Sequence, residues 1–141
     1  MNTQPRLNAD GITIHSAEEF EGMRKSGALA AATLDMITPH VVPGVTTDAL
    51  DKLIHEFMLD HNAVPATLGY RGYPKSSCIS LNHVVCHGIP SEKRLKDGDI
   101  LNIDVTNILD GWFGDNSRMY VAGKLSRKAE RLIDITHTAL M

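Results

Sequence analysis

The stretch Asp99-Ile100-Leu101-Asn102-Ile103-Asp104-Val105-Thr106-Asn107-Ile108-Leu109-Asp110-Gly111-Trp112-Phe113-Gly114-Asp115 decides the fold. From Asp99 to Thr106 it alternates: Ile100, Asn102, Asp104 and Thr106 share one face, and Leu101, Ile103 and Val105 share the other. That period belongs to a half-buried β-strand. Asp110-Gly111 supplies two residues that tolerate the positive φ of a tight hairpin turn. Trp112 to Ala122 is then the returning strand, ended by Gly123. Counting back from the turn, Leu109 opposes Trp112, Thr106 opposes Asp115 and Asp104 opposes Ser117. Asp104 and Asp115 therefore share a face, one diagonal step of roughly 7–8 Å apart.

Two ionised carboxylates so close repel each other and lose hydration wherever the strand is buried. Either one of them stays protonated or a cation joins them, and a hard or borderline divalent cation is the natural resolution. The alternative is a pair of exposed strand aspartates, with Asp115 a turn residue after Gly114. Strands disfavour aspartate, which weighs toward the cation.

Helices precede this hairpin. Ser16 and Glu19 have the spacing of a capping box, and Phe20, Met23, Gly27, Ala30, Leu34 and Ile37 form an apolar stripe behind it. Pro39 ends or kinks that helix, and Pro43-Gly44 turns the chain. A second helix starts at Thr46 or Thr47, faces Leu50, Leu53, Ile54 and Phe57 inward, and fades near Asn62. Residues 63–75, with Pro65, Gly69, Gly72 and Pro74, are expected to be an ordered loop. Cys78 to Leu81 and Val84 to Cys86 are short β-prone pieces on either side of Asn82, and 88–98 is a surface connection. Ser126 caps a last helix that continues to Met141. Helices first and then an antiparallel sheet is the α+β pattern. Residues 1–12 are expected to be a loose leader and 13–141 the folded part.

The chain has 141 residues and a formal net charge of -3. It lacks the basic field that drives nucleic-acid recognition. No apolar run approaches the roughly 18 residues of a membrane span. Met1 to Asp10 is polar and has no signal-peptide core. With two cysteines only, Cys78 and Cys86, a cytoplasmic location is expected.

Other side chains carry competing readings. His83 and His87 are four apart, as in a zinc-binding H-E-x-x-H helix, but Val84 stands where the general base belongs. Cys78 and Cys86 lack C-x-x-C spacing, and Cys86 with His87 would point to opposite faces of a strand. His87 precedes Gly88-Ile89-Pro90, a stiff exit that could hold an imidazole at the rim of a site or simply bury it. Tyr70 and Tyr73 bracket Arg71-Gly72 and either plug the core or wall a pocket. His15, His40, His55, His61 and His137 do not cluster.

Taken together, several runs closely resemble type I methionine aminopeptidase, of peptidase family M24. They are Leu68 to Ser76, Cys78-Ile79-Ser80, Asn82, Val84 to Pro90, Leu95 to Ile100, Asn102 to Thr106 and Gly114-Asp115. Their order and spacing match, and Gly11 to Met141 resembles the amino-terminal half of that family. The resemblance implies the pita-bread fold around two divalent metal ions (Co, Mn, Fe or Zn). It implies that Asp104 chelates one ion and Asp115 bridges both. His87 would contact the substrate peptide and stabilise developing charge, and Tyr70, Tyr73 and Cys78 would wall the pocket for a methionine side chain. The backbone carbonyls of Asn82 and Val84 would hold a monovalent cation. The implied reaction removes the initiator methionine from nascent polypeptides with a small second residue, by a hydroxide bridging the two ions. It implies action on nascent N-termini, at the ribosome or near it, by a monomeric complete protein.

The sequence departs from the family in what it carries. The remaining ligands implied by the resemblance, a histidine and two glutamates, have no counterpart here: after Asp115 the acidic residues are Glu130 and Asp134, both on the last helix. Arg71 stands where many bacterial relatives carry histidine, and Thr67 where some carry cysteine. The chain is therefore expected to be an incomplete amino-terminal portion, inactive alone. The rival readings are a catalytically dead pita-bread interaction protein and a related pita-bread peptidase of different specificity.

Overall fold

The computed structural model describes residues 6–141. Helix α1 (Ala17–Ile37) begins with both bonds of the expected capping box, Glu19 N–H to Ser16 Oγ at 3.3 Å and Ser16 N–H to Glu19 Oε2 at 2.6 Å. Its inward face differs from the expected stripe. Phe20 and Met23 are 48% and 47% exposed, while Ser26, Leu29, Ala30, Thr33, Leu34 and Ile37 are buried. The reason is close approach to the hairpin: a Cβ on Gly22 would lie 2.3 Å from Trp112 Nε1, and one on Gly114 would lie 2.1 Å from the Ser26 carbonyl oxygen. Small residues face the sheet there, and large apolar ones do not fit.

Helix α2 (Thr47–Asp60) is capped by Thr46, whose hydroxyl accepts the Ala49 N–H at 3.1 Å. It buries Leu50, Ile54 and Met58, with Leu53 and Phe57 packed against the core. Asn62, at φ 59°, turns the chain away from it. Residues 63–75 are not all loop. Val64–Pro65 form a two-residue strand, β1, paired with Ile108 and Asn107; proline is tolerated at such an edge.

Strands β2 (Cys78–Leu81), β3 (Asp99–Leu109) and β4 (Trp112–Ala122) complete an antiparallel sheet. The hairpin register is the expected one, with Leu109 opposite Trp112, Thr106 opposite Asp115 and Asp104 opposite Ser117. β1 and β2 pair with opposite ends of β3 on one edge, and β4 lies along the other. Val84 to Cys86 is not a strand. Asn82 and His87, both at φ 53°, break the extended backbone on either side, and Val85 is 93% exposed.

The core lies between the helices and one sheet face, where Leu101, Ile103 and Val105 meet Leu34, Ile37, Leu50 and Ile54. Helix α3 (Arg127–Leu140), capped by Ser126, has no buried residue, and its Leu132 and Ile135 are more than half exposed. Of the expected leader, residues 1–5 lie outside the described residues, and Leu7 bridges to Thr13 around a turn held by Asn8. No described helix is long and apolar enough to cross a membrane.

Candidate metal and substrate site

The face of β3 turned away from the helices carries Asn102, Asp104 and Thr106, half-buried between inward-facing neighbours. Across the hairpin the same face carries Phe113, Asp115 and Ser117, and β2 adds Cys78 directly opposite Asp104. The two carboxylates therefore meet as the strand alternation requires. Burial, and then the Asp115 charge, push the Asp104 carboxyl above the usual carboxylate range, while His87 pulls it down.

A cleft of about 840 Å³ opens over this face. All six expected site residues line it: Tyr70, Tyr73, Cys78, His87, Asp104 and Asp115. Tyr70 sits in a short helical turn that begins after Gly69 at φ 83°. Arg71 beside it is left-handed at φ 48°, and its guanidinium lies 5.4 Å from the Tyr70 ring centre. Tyr73 is fixed by its hydroxyl, shared between the Ser77 carbonyl at 3.0 Å and the Gly88 carbonyl at 3.1 Å. Burial raises its phenol well above the usual tyrosine range, and burial likewise pushes the Cys78 thiol up. Both groups are neutral walls at neutral pH.

His87 reaches the cleft because its backbone is left-handed and the next residue is clamped. Gly88 N–H bonds Ser80 Oγ at 3.1 Å, its carbonyl accepts the Ile79 N–H at 2.8 Å, and a Cβ there would lie 2.2 Å from the Ile79 carbonyl oxygen. Only glycine permits that approach. Asn82 and Val84 are in the turn after β2 and do not line the cleft. Asn82 instead exchanges side-chain bonds with Asp99 Oδ1 (2.9 Å) and Ile100 N–H (3.1 Å). His83 is also outside the lining, so the two histidines do not converge.

Thr106, Phe113 and Ile89 line the cleft too, and the residue-by-residue reading did not single them out. Thr106 and Phe113 were findable, since strand alternation and the hairpin register put both on the face of Asp104 and Asp115. Ile89 comes two positions after a left-handed residue that carries no sequence signal.

The donor set fits a hard divalent cation: two carboxylates converge, one of them half-buried with its charge disfavoured. It fits only in part. Among the described residues no group of three or more His, Cys, Asp or Glu side chains could hold an ion.

The sequence pattern of "Metallopeptidase family M24" matches residues 21–141. The chain is 59% identical over 130 residues to a methionine aminopeptidase of Rickettsia prowazekii and 53% identical over 131 residues to one of Escherichia coli. Each match covers 92% of this chain and 50% of the relative, so the chain spans about half the length of these curated relatives. The crystal structure of the Rickettsia prowazekii methionine aminopeptidase superposes with a TM-score of 0.91, covering 92% of this chain and 52% of that one. A Bacillus anthracis Xaa-Pro dipeptidase, 21% identical, superposes with a TM-score of 0.74 over 86% of this chain and 33% of its own, a likeness of fold alone. The helices on an antiparallel sheet are thus half of a pita-bread fold, and the chain belongs to metallopeptidase family M24.

Proposed function

We propose that this chain is the part of a methionine aminopeptidase that supplies the substrate pocket and two of its metal-ligating carboxylates. The observation that carries the reading is the meeting of Asp104 and Asp115 on one floor, beneath walls made by Tyr70, Tyr73, Cys78 and His87. Asp104 and Asp115 would hold divalent metal, with Asp115 shared between two ions. When bound, such ions polarise a carbonyl and lower the pKa of water. The chain's own residues do the rest. The neutral Tyr73 and Cys78, with Tyr70 at the mouth, accept a long unbranched apolar side chain. His87, which lines the cleft, would donate a hydrogen bond to the substrate peptide, where charge builds during attack. Asn82 and Val84 would hold a monovalent cation through their carbonyls, bracing the turn behind His87.

The substrate is a polypeptide beginning with methionine and a small second residue, met as it leaves the ribosome in the cytoplasm, and the complete protein is a monomer. Two carboxylates cannot hold two ions, so the 141 residues alone release no methionine from Met-Ala-Ser. A chimera tests the reading: this chain joined to the portion of the Escherichia coli relative that the match leaves uncovered. It should release methionine from Met-Ala-Ser and leave Ala-Pro peptides intact. His87→Ala in the chimera should lower kcat by about 10²-fold or more, as loss of a charge-stabilising donor does. A folded chimera without methionine release, or one indifferent to Asp104→Asn, would sink the proposal.

A further inference from the structure

The loop that walls the cleft is gripped from behind by α2. Asp48, Asp51 and His55 project from successive turns of that helix, and they hold three consecutive loop residues. Lys75 pairs with Asp48. His55 Nδ1 and Ser76 Oγ are hydrogen-bonded at 2.8 Å. Asp51 Oδ1 accepts the Ser76 N–H at 3.1 Å, the Ser77 N–H at 2.8 Å and the Ser77 hydroxyl at 2.7 Å.

Asp51 is only 7% exposed and lies among residues that otherwise build the apolar core. A carboxylate there is costly to bury and is retained only with such bonds. From Ser77 the connection continues into the cleft. Cys78 is the next residue, and the Ser77 carbonyl accepts the Tyr73 hydroxyl. The same hydroxyl reaches the Gly88 carbonyl, next to His87. Asp51 itself does not line the cleft.

We infer that Asp51 is a positioning residue. Through Ser77 it fixes the wall formed by Tyr73 and Cys78, and through Tyr73 and Gly88 it fixes the backbone that presents His87. The consequence for methionine binding rests on the proposed function, whereas the anchoring can be tested without it.

The Cys78 thiol is the probe. Cys86→Ser leaves Cys78 as the single cysteine, and at 6% exposure it meets an aromatic disulfide reagent only when the wall opens. In that background Asp51→Ala should raise the native-state labelling rate about tenfold or more, as expected for losing hydrogen bonds to a buried charge. Asp51→Asn keeps the acceptor oxygen and should stay near the parent rate. Ser77→Ala, which removes one donor of three, should fall between them. Ser26→Ala breaks buried bonds on α1 instead (to the Trp112 carbonyl and Asn107) and should lower the melting temperature without changing the rate. Should Asp51→Ala not fold, Ser77→Ala against Ser26→Ala decides. The inference is overturned if Asp51→Ala, or Ser77→Ala in its place, labels no faster than Ser26→Ala at matched stability, or if Asp51→Asn labels as fast as Asp51→Ala. Methionine amide protecting Cys78 in the parent chain supports the methionine pocket. Absence of protection counts against the pocket and leaves the anchor standing.

Discussion

Asp104 and Asp115 show how much one residue pair can oppose the fold that holds it. With no cation between them, burial raises the cost of ionising Asp104, and the Asp115 charge raises it further. The sign of the pH dependence follows from that raised carboxyl, with burial as its larger cause and repulsion as the next. A carboxyl raised in the folded state makes the metal-free chain more stable as pH falls from neutral through that raised value, because the folded form takes up the proton first. Asp115→Asn should therefore stabilise the metal-free chain at neutral pH by about 0.5 kcal/mol, the size of an exposed charge interaction, and shrink its gain on acidification. The same substitution should abolish stabilisation by Mn²⁺, which at ten times its Kd adds about 1.4 kcal/mol. Urea titrations from pH 4 to 7, with and without Mn²⁺, check all of this. A destabilised Asp115→Asn chain would refute the repulsion. This pair was legible in sequence because a two-residue turn turns subtraction into geometry. Asp51 was not, since nothing in a helical pattern announces that a carboxylate will be buried against loop residues more than twenty positions away.

Among the elements, strands were more legible than the helix that packs on them. β3 follows its alternation closely because one face meets the cleft and the other the core. The period of α1 was right and its bearing was off, because hydrophobicity alone cannot register that Ser26 and Gly22 meet the hairpin at contact distance. Val84 to Cys86 failed for a related reason: strong β propensity yields to two left-handed residues set by turn and cleft. Paired glycine substitutions measure the helix contact. Gly114→Ala drives a methyl into the α1 backbone and should cost about 1–3 kcal/mol. Gly27→Ala, with open space around it on the same helix, should stabilise by about 0.5–1 kcal/mol. Equal effects in chemical denaturation would mean that α1 does not approach the hairpin this closely.

Across the whole molecule, stability is uneven. The buried residues gather between α1, α2 and one sheet face, while α3 contributes none and leaves Leu132, Ile135 and Leu140 exposed. A 14-residue helix without tertiary burial is marginal in water. Its amides should exchange with deuterium near the rates of an unfolded peptide, while those of β3 are protected by global stability. Protected α3 amides in a monomeric chain would contradict this. The antiparallel hairpin and the shared face of Asp104 and Asp115 were readable from the sequence, whereas the lack of cover on α3 was not. An amphipathic pattern implies a partner surface without saying where it is.

The hairpin has one more consequence, for how the gene can vary. Surface turns are ordinarily where proteins absorb inserted and deleted residues most easily. Here Asp115 faces the cleft only because its count from Asp104 is preserved through the turn at Asp110-Gly111. A single extra codon between them, if it slid the register, would rotate Asp115 onto the helix-packed face and leave both carboxylates chemically intact. The length of that segment is thus as much a component of the site as the side chains, and the freedom usual at a turn is withdrawn from this one.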